Sequence, residues 1–398
     1  MVRSLVTALC RRAAGGGGPA AGSLPLRVTL DHKFIGPPFT IGVEEELMIV
    51  DPGGCGLAQE IERVLASVPP ELEGQVKPEL LQSVLEIATK PCADVAAAGR
   101  ELVSLRRAVN GILEELGLGV AASGTHPFAR WEEQLVVERR RYQELADELG
   151  YIARRELIFG THVHVAVEGA DRAIYVSDGI RLFIPLLLAL SANSPFWRGR
   201  PTGLASARTP IFRPFPRCGV PPHYGDWKTY CERVELMMRA GAIEDYTYMW
   251  WDVRPHPNLG TVETRVFDQQ TRLDHTVALT ALTASLAHAF SAQFDAGRPS
   301  VDFPIELIDD NKIRAALRGL EGELIDFLHR KRVAAPEMAL ALLDELADHA
   351  AELGCSAELE GVRDLVGGGT GSRRQLEIWD REGDLVQLMR RIVEASRA

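Results

Sequence analysis

The sequence contains no C-x-x-C pair, and its six cysteines are scattered over 398 residues. This spacing argues against a disulfide framework and against a thiolate zinc site, and it favours a reducing compartment. Long apolar runs are also missing, because the most apolar one, residues 182–192, is far shorter than the ~20 residues that span a bilayer. These absences predict a cytoplasmic protein without a membrane segment.

Positive charge is in short supply: 44 Lys and Arg residues face 55 Asp and Glu residues, for a net charge of −11. A chain with this balance has no general attraction for nucleic acids or anionic lipids, so we expect neither as a partner. An anionic ligand would have to be met by a local basic cluster or by metal ions. The hydrophobic share of 46% is typical of a globular protein with a sizeable core.

The first thirty residues contain four arginines, no acidic residue and the run Gly15–Gly18, but no apolar signal core. We predict a disordered N-terminal extension over residues 1–36. No Ser-, Gly- or Pro-rich linker divides the rest of the chain. Residues 37–398 are therefore expected to form a single catalytic domain that includes the C-terminal helices.

Hydrophobic periodicity predicts strands early in the chain and helices late. The predicted strands are residues 40–50, 83–89, 119–123, 157–167 and 261–267. The predicted helices are residues 94–116, 131–149, 173–193, 226–240, 274–294, 305–320, 321–331, 336–353 and 376–396. This order favours an α+β fold with a helical C-terminal region.

Residues two apart on a strand share a face, and four predicted strands place functional side chains on one face by this rule. The opposite positions are apolar, which predicts a sheet with an apolar back. The functional face would carry Glu44, Glu46, Glu86, His162, His164, Glu263 and Arg265. Glu45 falls on the apolar face, where an ion pair or a strand end would have to explain it.

Several carboxylates on one surface repel one another unless a cation neutralises them, and oxygen ligands suit Mg²⁺ or Mn²⁺. Mg²⁺ commonly binds a few carboxylates together with substrate phosphates. No G-x-x-x-x-G-K-[ST] loop is present, so the phosphates would come with the ligand. Each pair alone has an ordinary structural explanation, and their co-occurrence favours a site.

One connection, residues 198–225, contains six prolines, five arginines and no acidic residue. Long loops without secondary structure of their own are often lids or binding loops. The segment therefore has two interpretations: it is either a solvated surface loop or a basic lid over the acidic face.

Six ordered segments resemble the glutamate–cysteine ligase type 2 family of carboxylate–amine ligases, from about residue 38 to the C-terminal helices. They are residues 40–47 (TIGVEEEL), 82–89 (QSVLEIAT), 160–165 (GTHVHV), 191–199 (SANSPFWRG), 251–256 (WDVRPH) and 260–268 (GTVETRVFD). The resemblance implies a glutamine synthetase-like catalytic domain, in which a curved antiparallel sheet forms a funnel with helices on its back.

The resemblance further implies ATP and Mg²⁺ as cofactors, with Mn²⁺ as an alternative. Its metal ligands would be Glu44, Glu46, Glu86 and Glu263. The catalytic residues would be His162, Arg208 and Arg265, and the nucleotide-binding residues His164, Arg198 and Arg254. The implied reaction joins the γ-carboxylate of glutamate to an amine such as cysteine, through an acyl phosphate.

Other readings stay open at this point. A guanidino phosphotransferase could use the same sheet architecture, and a metallohydrolase could be built on His162 and His164. The remaining alternative is a non-catalytic interaction module with a solvated acidic face. A homodimer is a reasonable default for the oligomeric state.

Overall fold

The computed structural model describes residues 30–397. Its main sheet has seven strands: β1 (Ile41–Val50), β2 (Val76–Pro78), β3 (Val84–Ala88), β4 (Gly119–Ala121), β5 (Gly160–Ala166), β10 (Val253–His256) and β11 (Thr261–Asp268). All neighbouring strands of this sheet are antiparallel. Six of them follow the order β10-β11-β5-β1-β3-β2, and β4 pairs with the far end of β1.

Helices cover the back of this sheet and form the C-terminal region, so the predicted α+β class is confirmed. They are α1 (Ile61–Ala66), α2 (Val95–Glu115), α3 (Arg140–Leu149), α4 (Tyr151–Arg154), α5 (Ala170–Ile180), α6 (Ile184–Ser191), α7 (Arg208–Phe212), α8 (Trp227–Arg239), α9 (Leu273–Asp295), α10 (Ile305–Arg318), α11 (Ala335–Glu352), α12 (Ser356–Gly368), α13 (Gly371–Glu382) and α14 (Leu385–Ser396). Small two-stranded sheets are formed by β6 (Phe196–Trp197) with β7 (Arg200–Pro201), β8 (Cys218–Gly219) with β9 (Trp250–Trp251), and β12 (Glu323–Asp326) with β13 (Lys331–Ala334).

Helix α2 shows why the predicted helices on the sheet's back form where they do. The side chain of Asp94 accepts a hydrogen bond from the Ala97 amide at 2.7 Å and so caps the first turn. Leu102, Leu105 and Val109 recur at helical spacing and are buried in the main core. Helix α2 thereby covers the apolar side of β1 and β3.

Glu45, which points to this apolar back, is balanced by Arg106 of α2. Arg106 Nε lies 2.7 Å from Glu45 Oε2 and Nη2 lies 2.7 Å from Oε1, and neither side chain reaches solvent. Thr276 also donates to Glu45 at 2.8 Å, and Arg106 donates to the carbonyl of Gln270 at 2.7 Å. A buried bidentate ion pair therefore ties β1 to the helices behind it.

Two apolar helical segments, Ala170–Ser191 and Leu273–Asp295, are long enough and apolar enough to cross a membrane by composition alone. In their most apolar windows, 100% and 72% of the residues are buried inside the protein. The first segment also bends through a 3₁₀ turn at Arg181–Phe183, between α5 and α6. Packing in the core accounts for the apolar character of both segments.

Two helix predictions are wrong in part, and a third is wrong. Residues 134–139 are not helical, and a helix begins only at Arg140 because Val136 bridges Leu81. Residues 321–331, predicted as a helix, form most of the β12–β13 hairpin instead. The predicted helix over 376–396 is two helices separated at Gly383, whose φ of +62° is left-handed.

Residues 1–29 of the predicted N-terminal extension lie outside the described residues. Residues 33 and 34, which fall within the same prediction, pack on the domain. Phe34 is 2% exposed, its carbonyl accepts from Gly169 at 2.9 Å, and Lys33 donates to the Pro257 carbonyl at 2.8 Å. A Cβ on Gly260 would lie 2.1 Å from the Lys33 carbonyl oxygen, so only glycine permits this approach. The packed chain therefore begins before residue 37.

Candidate active site

Strand register brings the predicted acidic and imidazole residues together on the front of the sheet. On β1, Glu44 lies opposite His162 of β5, and Glu46 lies opposite Glu86 of β3. His164 lies opposite Glu263 on β11. Residues from four adjacent strands thus meet on one face, because β1 and β5 are the central strands of the sheet.

A cavity of about 380 Å³ opens over this face. Its charged and imidazole lining comprises Glu44, Glu46, Glu79, Glu86, Arg141, Glu156, His162, Arg208, Arg254, His256 and Arg265. Its aromatic lining comprises Tyr142, Phe212, Phe215, Tyr248 and Trp250. The cavity therefore has an acidic floor, several guanidinium groups and an aromatic wall.

His162 is held between charged groups on the cavity floor. Its Nδ1 lies 3.2 Å from Glu44 Oε2 and 3.4 Å from Arg265 Nη1, and its Nε2 lies 3.8 Å from Glu46 Oε1. Burial and the nearby Arg265 charge lower the pKa of His162. The imidazole is therefore neutral near pH 7, which leaves it able to orient a carboxylate or bind a cation.

The pKa of His164 shifts in the opposite direction. Burial opposes its protonation, but the carboxylates of Glu263 and Glu44 outweigh burial and raise the pKa of His164. Its Nδ1 lies 3.0 Å from the Thr261 hydroxyl, and its Nε2 lies 3.7 Å from Glu44 Oε2. Within residues 30–397, the Nε2 atoms of His162 and His164 have no hydrogen-bond partner.

Glu263 lies beneath the cavity and is 1% exposed. Arg254 Nε contacts its Oε2 at 2.6 Å, and Arg265 contacts its Oε1. Burial alone would raise the pKa of Glu263, but the two guanidinium groups and His164 hold it well below its usual range. Glu263 therefore stays ionised and fixes both arginines.

Strand β3 and the end of strand β2 add a carboxylate pair that sequence reasoning found only in part. Glu86 pairs with Lys77 at 2.9 Å, yet burial and the charges of Glu44 and Glu79 raise its pKa well above the usual value. Glu79, which was not predicted, has its pKa raised to about 7 by burial and by Glu46. The signal that could have found it is the Lys77-Pro-Glu79 spacing just before the motif at residues 82–89.

Residues 198–225 contain three short elements, β7, α7 and β8, and the rest of the segment is irregular, as expected for a long connection. Arg208 is the predicted residue of this segment that lines the cavity. It is 6% exposed, and its guanidinium donates to the Val266 and Arg265 carbonyls, each at 3.3 Å. A Cβ on Gly160 would lie 2.4 Å from its Nη2, so the bare β5 backbone makes room for it.

Arg198 is not brought into the site. Its Nη2 instead pairs with Glu132 at 2.7 Å, and its side chain is 42% exposed. The residue follows the β6 strand at a positive φ of 51°, which turns the side chain to the outer surface hairpin. The expected nucleotide contact from Arg198 is therefore not supported by its position.

The aromatic wall is formed by two segments that are distant in sequence. Phe212 and Phe215 stack with ring centroids 5.5 Å apart, and Phe215 meets Trp250 edge-on at 4.9 Å. Tyr248 lies 5.7 Å from Trp250. No spacing rule relates residues 212–215 to 248–250, which is why the sequence did not reveal this wall.

Comparison with known proteins agrees with the geometry. A sequence profile of the glutamate–cysteine ligase family 2 matches residues 40–394. A Rubrobacter xylanophilus protein, provisionally named glutamate–cysteine ligase 2-1, is 45% identical over 92% of this chain and 97% of its own length. A Sorangium cellulosum protein, provisionally named glutamate–cysteine ligase 2, is 38% identical over 90% of this chain and 96% of its own.

Solved structures share the fold at low sequence identity. The Francisella tularensis glutamate–cysteine ligase in complex with AMP has a TM-score of 0.68 and 15% identity, covering 93% of this chain and 90% of its own. A bifunctional glutathione synthetase from Pasteurella multocida has a TM-score of 0.65 and 15% identity, covering 90% of this chain and 52% of its own. The fold is thus the one that the sequence resemblance implied, and the chain belongs to glutamate–cysteine ligase family 2.

Proposed function

We propose that the protein is an ATP-dependent carboxylate–amine ligase that joins the γ-carboxylate of glutamate to an amine such as cysteine. One observation carries the proposal. The carboxylates of Glu44, Glu46, Glu79 and Glu86 gather on the floor of one cavity, into which Arg208 and Arg265 also project. Such a site suits a phosphorylated substrate that arrives with divalent cations.

The residues present fit Mg²⁺ or Mn²⁺. Burial and the neighbouring carboxylates raise the pKa values of Glu79 and Glu86, and a divalent cation would supply compensating positive charge. Glu44, Glu46 and Glu86 would hold it from the floor. Ligand atoms of Glu44, His164 and Glu263 also lie within 4.8 Å of one another. When bound, the cation neutralises charge on the phosphates of ATP.

The proposed reaction has two steps. A carboxylate oxygen of glutamate attacks the γ-phosphorus of ATP, which gives an acyl phosphate and releases ADP. The amine then attacks the acyl carbon, and inorganic phosphate leaves as the amide forms. Arg265 stabilises negative charge on the transferring phosphoryl group, which is where phosphoryl transfer gains most of its catalysis, and Arg208 adds a second positive charge to the same cavity.

The remaining predicted residues act indirectly, by positioning other groups of the site. His162 orients Glu44 through its Nδ1 contact. His164 and Arg254, predicted to bind nucleotide, act through Glu263, which in turn fixes Arg265. The aromatic wall of Phe212, Phe215, Tyr248 and Trp250 offers flat surfaces for a purine and keeps water from the acyl phosphate.

The proposal is tested by assaying ADP and phosphate release with Mg²⁺, glutamate and a panel of acceptor amines, with mass spectrometry of the product. We expect amine-dependent ADP release and a γ-glutamyl amide, and neither with Glu44→Gln. No ADP release across the panel contradicts the proposal. A phosphoramidate product would indicate a guanidino phosphotransferase, and metal-dependent hydrolysis without ATP would indicate a hydrolase. A cytoplasmic location and a homodimer remain predictions.

A further inference from the structure

Glu156 is a cavity residue with no role in the chemistry described so far. It precedes β5 by four positions and lines the cavity together with Glu46 and Arg208. Both of its carboxylate oxygens are buried, and within residues 30–397 neither has a hydrogen-bond partner. Burying a carboxylate without hydrogen-bond partners costs free energy. Such a group in a binding cavity therefore points to a ligand that supplies the missing hydrogen bonds.

The neighbouring cations do not supply the missing partner. Arg155 donates to the Ile211 carbonyl at 2.9 Å and lies over the Tyr151 ring. Arg208 donates to the carbonyls of Val266 and Arg265. The Nε atom of Arg208 is also buried and unpartnered among the described residues. The cavity therefore presents an unsatisfied acceptor and an unsatisfied donor on different side chains.

This pairing matches the head group of a free amino acid, which carries an ammonium and a carboxylate on one carbon. We propose that Glu156 binds the α-ammonium group of the donor amino acid, while Arg208 faces its α-carboxylate. The inference rests on the proposed function and deepens it, because it explains how the site would select an α-amino acid rather than a simple dicarboxylic acid.

The donor is the better match than the acceptor for a chemical reason. The amine that attacks the acyl phosphate must be uncharged, and a buried carboxylate would stabilise its protonated form and so slow the attack. The donor's α-ammonium takes no part in the reaction and can remain charged throughout. Burial raises the pKa of Glu156 well above its usual value, and an incoming ammonium would favour its ionised form.

The test compares glutamate with glutarate, which keeps both carboxylates and lacks only the α-amino group. Wild type, Glu156→Gln and the exposed control Glu138→Gln are measured for glutamate KM, for acceptor KM and for glutarate as a competitive inhibitor. We expect Glu156→Gln to raise the glutamate KM about tenfold or more, since a charge-assisted hydrogen bond is lost. The glutarate Ki and the acceptor KM should change less than about twofold, and Glu138→Gln should resemble wild type.

Equal weakening of glutamate binding and glutarate binding would show that Glu156 only shapes the cavity. A change confined to the acceptor KM would assign Glu156 to the acceptor site. A change confined to the Mg²⁺ dependence would assign it to cation binding. Each of these outcomes overturns the inference. Calorimetric titration with glutamate and with glutarate gives the same comparison without turnover. The inference can therefore fail or stand even if no ligase activity is found, and thermal unfolding of Glu156→Gln confirms that the variant is folded.

Discussion

Arg106 and Glu45 form a bidentate ion pair, with both N–O distances at 2.7 Å, on the side of the sheet opposite the cavity. Three consecutive glutamates in β1 thus have two destinations: Glu44 and Glu46 face the cavity, and Glu45 faces Arg106. The alternation of a strand separates the carboxylates that line the cavity from the one that is paired in the core.

Removing one partner of this pair should destabilise the protein strongly. Arg106→Met leaves a buried carboxylate with hydrogen-bond donors but no cation, and we expect a loss of about 3–5 kcal/mol in the free energy of unfolding. Chemical denaturation measures it. The double variant Arg106→Met/Glu45→Gln should lose less than the sum of the single variants, because it leaves no isolated charge. Strict additivity would show that the two residues do not interact.

Glu44 and Glu263 should respond differently to the same substitution. Glu44→Gln removes a charge that repels Glu86 but that His162 and His164 stabilise, so we expect turnover to fall by about two orders of magnitude with unfolding free energy changed by less than about 1 kcal/mol. Glu263→Gln leaves Arg254 and Arg265 without their anion, so we expect loss of turnover and about 3 kcal/mol of stability. Assay and denaturation of both variants check this, and equal stability would contradict the structural role of Glu263.

Cation binding at the acidic floor should release protons. The pKa of Glu79 is about 7, so this carboxyl is roughly half protonated at neutral pH, and a divalent cation favours its ionised form. Calorimetry of Mg²⁺ binding at pH 7, in buffers with different ionisation enthalpies, counts the protons released. We expect a smaller count for Glu79→Gln. An unchanged count would mean that the released protons come from other groups.

Acid should destabilise the fold through His126, which is fully buried away from the cavity. Its Nε2 faces the Cys55 carbonyl at 2.8 Å and its Nδ1 accepts from the Ala129 amide at 3.0 Å, which fits the neutral ring. Burial lowers the pKa of His126 to about 4 from 6.5. The unfolded chain therefore binds this proton first, and stability is lost as pH falls from about 6.5 towards 4, by at most about 3 kcal/mol.

Denaturation of wild type and His126→Asn at several pH values isolates this contribution. The variant should be less stable at pH 7, because the ring's contacts are lost, but its stability should decline less on acidification. Parallel pH profiles for the two proteins would contradict the assignment. His256 and His275 also have pKa values lowered to about 4 and contribute with the same sign, so part of the decline should remain in the variant.

Gly160 should be required for the position of Arg208. Its amide donates to Glu46 Oε2 at 2.5 Å, and an added Cβ would collide with the guanidinium of Arg208. We expect Gly160→Ala to lower kcat/KM by about 10- to 100-fold, because small displacements of catalytic groups have effects of this size. Gly111→Ala, in the interior of α2 with open space around it, is the matched control and should be neutral or slightly stabilising. Full activity of Gly160→Ala would contradict the tight contact.

The parts of the fold that sequence predicted well are those governed by local periodicity. Glu44 and Glu46 could be assigned to one face of β1 because side chains alternate along a strand. The helix prediction for residues 321–331 was wrong because of a local turn, which hydrophobic spacing does not reveal. Asp326 accepts hydrogen bonds from the amides of Leu328 and His329, and this turn competes with a helix.

The missed site residues depend on contacts between distant parts of the chain. Glu79 follows an edge strand, Tyr142 belongs to a helix that starts only after an extended segment, and Glu156 precedes β5. Nothing in their spacing relates these three residues, since the cavity is closed by tertiary packing. The prediction for Arg198 was wrong for a related reason. Its place in a recognisable motif suggested nucleotide binding, but the hairpin directs its side chain to Glu132.

The packing of Lys33 and Phe34 against the turn between β10 and β11 affects how this hairpin, which lines the cavity, is held. That hairpin carries Arg254 on one strand and Glu263 and Arg265 on the other, and β10 is an edge strand of the sheet. The segment before residue 37 therefore acts as a brace on the outermost strand of the sheet. A shortened protein that begins at residue 37 would keep every cavity residue and lose this brace, so its arginines would be present but less firmly placed.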